Sequence, residues 1–359
     1  MPVDVIDNTG RNILIDNLKA IGIFLMVAAH VGIFCQNFIY VFHMPLFFIL
    51  SGMCYKYGKS QFDTFVIKKI KHLYLPYLIV NICWYAYEDI SYAIKNGISA
   101  VDWLTVFQQF RNVFLFTGDV TILTIPTWFF KTLFWAIILY DLLNRFLHTK
   151  IIGENRVAMI RFIILIALLL FGWVEKIWLD DYWGNIFCSM ILLDIGQYIK
   201  RFVEAHKKLS EKNNKLWAVA LISSFLILLK MSDRRIELSQ NEIVNPIFFV
   251  CGAIVGFAFL YSIYELAIAR CKQLQTVLSY IGKNSVWIVT LHLFAFRIVA
   301  LIQIKCYGLP ITEINQMFRP ITAPYWWMMY VVVGIAVPLL VKGCFDLLRG
   351  KCKLLMKIK

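Results

Sequence analysis

Two basic side chains in the first apolar segment have a spacing that suits a reaction site. Lys19 and His30 are eleven residues apart, which on an α-helix is three turns plus about 20°, so they share one face roughly 16 Å apart along the axis. A histidine in a membrane cavity can act as a general base toward a hydroxyl, and an ammonium group can bind an anion. Asp16 lies one turn before Lys19 and is predicted to pair with it. The same groups would also suit a proton-relaying transporter.

Histidines recur in two later apolar segments. The second segment runs back across the membrane, so His43 is predicted to lie at about the depth of His30, and Pro45 marks a helix start or a kink. Ser285 and His292 are seven residues apart and share a helix face. A single histidine in a membrane helix often serves only to form a hydrogen bond to a neighbouring helix. Two histidines at the same depth, His30 and His43, favour a functional site. Spacing alone does not decide whether His292 has a functional or a structural role.

Several residues near predicted helix ends have simpler explanations than a reaction site. Trp128 suits an aromatic belt at the outer surface, and Asn284 lies at the cytoplasmic start of the segment that contains His292. Most carboxylates lie close to a predicted inner boundary, where water or a nearby Lys or Arg can satisfy them. Asp194 is the deepest of them and the least easily explained by solvation.

The chain that must hold these residues is much more apolar than a soluble protein. Of its 359 residues 60% are hydrophobic and 16% are charged, against about 45–50% and about 25% in soluble domains. This composition excludes an ordinary soluble enzyme and a disordered chain. The nine cysteines are scattered without a Cys-x-x-Cys pair, so we expect neither a zinc site nor a disulfide framework. No phosphate-binding loop, nucleophile elbow or His-Glu-x-x-His helix is present, and no metal site is predicted.

The apolar runs predict an all-α polytopic membrane protein. A spanning helix needs about 20 largely apolar residues, and we predict about ten of them, at 18–37, 39–56, 73–94, 125–147, 157–175, 182–200, 216–231, 244–268, 285–304 and 325–348. Residues 98–118 are predicted to form an amphipathic helix that lies along the membrane–water interface. We divide the chain into a cytoplasmic segment (1–17), one membrane domain (18–348) and a basic cytoplasmic tail (349–359).

The charge pattern predicts the orientation. Of 36 Lys and Arg residues, 24 fall in the segments assigned to the cytoplasm and 8 in those assigned to the outside. This alternation follows the positive-inside rule and predicts that both termini are cytoplasmic. It also accounts for the net charge of +14 without a nucleic-acid partner. The first run has no cleavage pattern, so we expect a retained span rather than a signal peptide.

Taken together, the motifs resemble acyltransferase family 3, the multi-span bacterial acyltransferases. The order is Lys19 and His30, then Phe-Phe-x-x-Ser-Gly at Phe47, Phe48, Ser51 and Gly52, a basic loop leading to Pro76 and Tyr77, Trp128 with Phe129, and finally Gly282, Ser285 and His292. The run Phe42 to Leu46 is similar to the fucose 4-O-acetylase and exopolysaccharide acetylase-like subgroup. No hydrolase-type domain follows the last span, which resembles the form with an acyltransferase domain alone.

The resemblance implies an O-acyltransferase in the cytoplasmic membrane of a bacterium. The donor would be an acyl-CoA, most often acetyl-CoA, used as a co-substrate and not as a bound cofactor. The acceptor would be a hydroxyl of a cell-surface or exported polysaccharide, or of a lipid-linked glycan. The implied catalytic residues are His30 as base and His43 as its partner or an acceptor ligand. The implied donor ligands are Lys19, Phe47, Phe48, Ser51, Gly52, Lys68, Lys69 and Lys71, and the further candidates are Asp16, Trp128, Asn284, Ser285 and His292.

Alternatives remain beside this hypothesis. The same fold could transfer a succinyl or longer acyl group, or use a lipid, peptide or small-molecule acceptor. A multi-span transporter of a glycan or lipid is the alternative from another class, and discontinuous helices with an inverted repeat would favour it. The motifs do not choose between direct transfer and an acyl group resting first on a histidine.

Overall fold

The structure, a computed structural model, describes residues 11–32, 35–116, 123–174, 181–210, 213–234, 238, 242–243, 245–315 and 325–357. Side chains are described for all of these except 181–182, 206–210, 315 and 351–357. The described residues are 87% helical and contain no strand. This confirms the predicted all-α class.

The described residues form a series of α-helices. In chain order they are α1 (Ile13–His30), α2 (Gln36–Tyr40), α3 (His43–Cys54), α4 (Phe62–Lys69), α5 (Leu75–Asn96), α6 (Trp103–Phe114), α7 (Trp128–Lys150), α8 (Glu154–Val174), α9 (Asp181–Ser210), α10 (Asn214–Met231), α11 (Pro246–Ile263), α12 (Lys272–Lys283), α13 (Ser285–Tyr307) and α14 (Trp326–Lys357). Single π-helical turns, Ile70–Tyr74 and Tyr264–Ile268, join α4 to α5 and extend α11. Turns of 3-10 helix occupy Ile98–Ala100, Ile125–Thr127 and Ile311–Asn315.

Within the described residues, eight helical stretches are long and apolar enough to cross a membrane. They are α1, the α2–α3 pair, α7 with its preceding turn, α8, α10, α11 with its following turn, α13 and α14. The chain is therefore a polytopic membrane protein. Helices α5 and α9 lie at the third and sixth predicted spans and have 22 and 30 residues, but neither is among these eight. The count of ten stays a prediction.

Local sequence explains several helix ends. Asn12 caps α1, and its side chain accepts a hydrogen bond from the Ile15 backbone N–H at 3.2 Å. Asp102 caps α6 in the same way, inside the stretch predicted to be amphipathic. The second predicted span is broken into α2 and α3, and Pro45 lies in the first turn of α3, where its missing N–H does no harm. Helix α12 was not predicted. It is an amphipathic helix of 12 residues, which is too short to span a membrane.

Close helix crossings at glycines hold the core together. Helix α3 packs along α9, where Gly52 meets the Leu193 backbone and Gly196 meets the Ile49 carbonyl so closely that a Cβ at either glycine would collide with that backbone. Helix α12 packs along α1 with Gly282 against the backbone of Asp16. Small residues at membrane helix crossings allow this approach, and packing then supplies the attraction that lipid does not.

Gly52→Ala is expected to destabilise the protein by about 1–3 kcal/mol, because the added methyl group meets backbone atoms of α9 that cannot rotate away. Thermal unfolding of the purified protein in detergent measures this loss. Gly343→Ala in α14 is the matched control, since a Cβ there meets nothing within 4 Å. Equal unfolding temperatures for the two variants would contradict the assigned α3–α9 contact.

Candidate active site

A cavity of about 500 Å³ runs along the inner faces of α1 and α3. From α1 it is lined by Lys19, Ile23, Met26 and His30, and from α3 by His43, Met44, Phe47, Ser51 and Cys54. Both series have helical spacing, so each helix presents one face to the cavity along most of its length. Helices α4, α7 and α13 complete the wall. The predicted common face of Lys19 and His30 is thus the face that lines this cavity.

Three histidines from three helices meet at one end of the cavity. His30 is the last residue of α1 and His43 the first of α3. The ring of His292, from α13, lies 5.1 Å from the His30 ring between centroids. Both His43 and His292 interact electrostatically with His30. The chain turn between α1 and α3 brings His43 to this site, whereas His292 arrives only through the packing of α13.

Hydrogen bonds determine which ring nitrogen carries the proton. His43 Nδ1 lies 3.0 Å from the Ile39 carbonyl oxygen, and His292 Nδ1 lies 2.9 Å from that of Ile288. A carbonyl oxygen can only accept, so each Nδ1 carries the hydrogen and each Nε2 holds a lone pair. His30 Nδ1 lies 3.1 Å from the Met26 sulfur, which can only accept a hydrogen bond, and the His30 ring also bonds the Met26 backbone. Nε2 is therefore the basic nitrogen on all three rings in their neutral form.

The opposite end of the cavity is basic. Its lining includes Arg11, Lys19, Lys68, Lys69, His72 and Lys283. The Lys69 ammonium lies 5.0 Å from the centroid of the Phe65 ring, a cation–π contact. Burial lowers the pKa of the Lys69 ammonium, and the nearby Lys19 lowers it further. A bound anion would relieve both effects, so this end of the cavity is suited to a multiply charged anion.

Asp16 does not pair with Lys19, which corrects the sequence-based prediction. The Arg11 guanidinium instead donates two hydrogen bonds to the Asp16 carboxylate, each 3.1 Å long. Arg11 precedes α1, and its side chain extends forward to the first turn of that helix. An acidic group in this turn is also favoured by the helix dipole. Lys19 forms no ion pair with any described residue and lines the cavity.

The other predicted site residues divide into two groups. The cavity lining includes Phe47, Ser51, Lys68, Lys69, Trp128 and Ser285 but not Phe48, Gly52, Lys71, Asn284 or His292. Phe48 is fully buried with its ring 5.3 Å from that of Phe129, and Asn284 bonds the Tyr280 carbonyl at the end of α12. His292 lies behind His30.

Gly52 serves helix packing and not the cavity, contrary to the role that the resemblance implied. Its missing side chain admits α9 rather than a substrate. Gln197 of α9 also donates to the carbonyl oxygens of Gly52 and Tyr55 at the end of α3. The structure therefore separates the Phe-Phe-x-x-Ser-Gly motif into cavity-facing residues, Phe47 and Ser51, and core-facing residues, Phe48 and Gly52.

The sequence-based predictions did not include several residues that line the cavity. Cys54 continues the series Phe47 and Ser51 at helical spacing, and this pattern could have identified it. Lys283 stands next to Asn284, which was considered, and was passed over as a cytoplasmic charge. Arg11 and Tyr40 reach the cavity only because of how their segments fold back, and no sequence pattern indicates them.

A buried polar network outside the cavity joins α7, α8 and α9. The Arg161 Nε donates to the Asp194 carboxylate at 2.7 Å, and the Tyr140 hydroxyl donates to the same oxygen at 2.7 Å. Arg161 also donates to the Asn144 side chain at 2.9 Å. Asp194 is fully buried. Asp194, the carboxylate that was predicted to lie deepest in the membrane, therefore forms an ion pair with Arg161 within the core.

The fold and cavity define a class: a polytopic membrane protein with an internal cavity that is cationic at one end and is lined by His30 and His43 at the other. The sequence profile of a family described as an acyltransferase domain, acyltransferase family 3, matches residues 12–343. The chain belongs to this family, and it is a membrane acyltransferase. No curated protein and no solved structure matches the chain.

Proposed function

We propose that this acyltransferase moves an acetyl group from cytoplasmic acetyl-CoA to a hydroxyl of a cell-surface or exported polysaccharide, in the inner membrane of a bacterium. The observation that carries the proposal is the cavity along α1 and α3, with cations at one end and histidines at the other. In the predicted orientation the cationic end faces the cytoplasm, where acetyl-CoA is made.

The shape of the cavity supports an acyl-CoA donor. Coenzyme A carries its phosphates at one end and its thioester at the other, joined by a long flexible arm. Lys19 and His30 are separated by roughly 16 Å along α1, and the wall between them includes Ile23, Met26 and Phe47. Phosphates held by Lys19, Lys68 and Lys69 would leave the thioester near His30.

The histidine end supports base catalysis. Nε2 of His30 holds a lone pair because its Nδ1–H is engaged by Met26. It would take the proton of an acceptor hydroxyl as that oxygen attacks the thioester carbonyl, after which the carbon–sulfur bond breaks and the ester is complete. His43, whose ring lies 5.2 Å from that of Tyr40, would orient the acceptor or share the proton.

The wall beyond the histidines supports a neutral acceptor. This end is lined by Tyr40, Met44, Pro126 and Trp128, which carry no formal charge. Aromatic rings with a polar group at one edge suit a ligand that is apolar on one side and hydroxylated on the other. A sugar ring has this character, and in the predicted orientation it would arrive from outside the cell.

The test is acetyl transfer in sealed membrane vesicles of the native host that contain the protein. Inside-out vesicles supplied with labelled acetyl-CoA are expected to transfer label to the glycan fraction. Right-side-out vesicles are not, since the donor cannot reach the cytoplasmic end. Vesicles without the protein are the control. Absence of label from inside-out vesicles with acetyl-CoA would contradict the proposal, and label only with succinyl-CoA would change the acyl group.

Lys69→Gln is expected to raise the KM for acetyl-CoA at least about tenfold, because it removes a charge-assisted contact worth about 1.5–3 kcal/mol. The turnover number should change little. Lys71→Gln is the matched control: it removes the same charge two residues away, where the side chain is exposed and does not line the cavity. An equal rise in KM for both variants would contradict binding of the phosphates inside the cavity.

A further inference from the structure

We propose that Asp141 and Arg145 of α7 are positioning residues for the acyl donor, because they fix the helix that carries Lys69 at the basic end of the cavity. This inference rests on the proposed function and deepens it. Neither side chain lines the cavity, so both would act through Lys69. The support is a set of contacts that runs from one buried carboxylate to both ends of α4.

Helix α4 does not hold its own position. It has eight residues, Phe62–Lys69, and none of them is buried. Phe62 and Phe65 pack only partly buried against the core. A helix this short is marginal by itself, so contacts with its neighbours decide where its last turn lies. Lys68 and Lys69 stand in that last turn and line the cavity.

The first observation is the buried carboxylate of Asp141, which is 1% exposed. One of its oxygens accepts a hydrogen bond from the Tyr55 hydroxyl at 2.7 Å, and the other accepts one from Arg145 Nε at 2.6 Å. Tyr55 follows the last residue of α3, whereas Asp141 and Arg145 are one turn apart on α7. The carboxylate therefore ties the end of α3, where the chain turns toward α4, to α7.

The second observation is that Arg145 contacts the start of α4. Its Nη2 donates to the backbone carbonyl of Ser60 at 2.8 Å, in the loop of residues 55–61 between α3 and α4. The central carbon of its guanidinium lies 5.6 Å from the centroid of the ring of Phe62, the first residue of α4. An arginine can make these contacts together with the one to Asp141 because its donors lie in a rigid planar fork.

The third observation is that Tyr55 reaches the other end of α4. Its ring meets the Phe65 ring edge to face, with centroids 6.1 Å apart and planes at 90°. The Lys69 ammonium lies 5.0 Å from the centroid of that same Phe65 ring. Asp141 also interacts electrostatically with Lys69 and favours its charged form, against the effects of burial and of Lys19. Asp141 thus acts on Lys69 both through charge and through a line of ring contacts.

A purely structural role explains less. The buried pair of Arg161 and Asp194 joins the core helices α7, α8 and α9, and neither its members nor the hydrogen-bond partners described for it above line the cavity. The pair of Asp141 and Arg145 leads instead to the short helix that carries two of the proposed phosphate ligands. Its contacts therefore determine where those ligands stand.

The test measures the kinetics of Arg145→Met and Arg145→Lys in the inside-out vesicle assay, normalised to the amount of inserted protein. Methionine removes every polar contact of the side chain. Lysine keeps a charge beside Asp141, but a single ammonium group cannot also reach Ser60 and Phe62. We expect both variants to raise the KM for acetyl-CoA about three- to tenfold, since a displaced Lys69 loses part or all of its contact with the phosphates. The turnover number should change little.

A double variant separates positioning from general damage to the fold. If Arg145 acts through Lys69, Arg145→Lys combined with Lys69→Gln should have the KM of Lys69→Gln alone, because the effects of interacting sites do not add. Arg156→Met is the matched control. It removes an exposed arginine near the start of α8 that does not line the cavity, and it should keep the wild-type KM.

The outcomes separate this inference from the function on which it rests. Arg145→Lys with an unchanged KM, or a double variant in which the two rises in KM multiply, would overturn the positioning role. A loss of kcat without a rise in KM would do the same. If Arg145→Met is not inserted, Arg145→Lys decides the question alone. Wild-type vesicles that transfer no label would instead contradict the proposed function itself.

Discussion

His30→Ala is expected to lower the rate of acetyl transfer by about 10²–10⁴-fold, which is the usual contribution of a general base. His30 lines the cavity at the end of α1, and because its Nδ1 faces the Met26 sulfur, its Nε2 is the ring nitrogen that can take a proton. The KM for acetyl-CoA should stay near that of the wild type, because the cations that we propose as phosphate ligands lie at the other end of the cavity.

The measurement is labelled transfer in inside-out vesicles, normalised to the amount of inserted protein. His30 ends its helix and is only half-buried, so its loss should leave the fold intact. His148→Ala controls for the removal of an imidazole elsewhere. A His30→Ala variant that keeps the wild-type rate would show that another group is the base, and His43 would then be examined next.

Asp194→Ala is expected to destabilise the protein by about 3–5 kcal/mol, the usual effect of breaking a buried ion pair. The change leaves the guanidinium of Arg161, 10% exposed, without its carboxylate partner. It also removes the acceptor of the Tyr140 hydroxyl. The loss should appear as a lower thermal unfolding temperature in detergent and as less folded protein in membranes.

Two further variants make this prediction specific. Asp233→Ala breaks an ion pair with Lys230 whose side chains are 63% and 87% exposed, and such a pair is worth about 0–1 kcal/mol. The double variant Arg161→Met with Asp194→Leu removes both buried charges and should recover much of the stability. Asp194→Ala with the stability of Asp233→Ala would mean that the Arg161–Asp194 pair contributes little.

The sequence by itself determined the class of the protein and one face of its site. The apolar content requires a membrane environment because so little of the chain can face water. Helical spacing assigned Lys19 and His30 to a common face, since the period of 3.6 residues depends on the backbone alone. The family motifs likewise lie within single helices or short loops, where order along the chain is sufficient.

Only the tertiary structure decided which helix faces meet. Lipid is as apolar as most helix surfaces, so hydrophobicity does not indicate whether a side chain faces lipid, a neighbouring helix or a cavity. For that reason the sequence did not separate Phe47 from Phe48, assigned Gly52 to a substrate, and paired Asp16 with Lys19 instead of Arg11. The contact between His292 and His30 joins residues of the first and the thirteenth helix. Such a contact depends on how α1 and α13 pack together, and no periodicity within either helix encodes it.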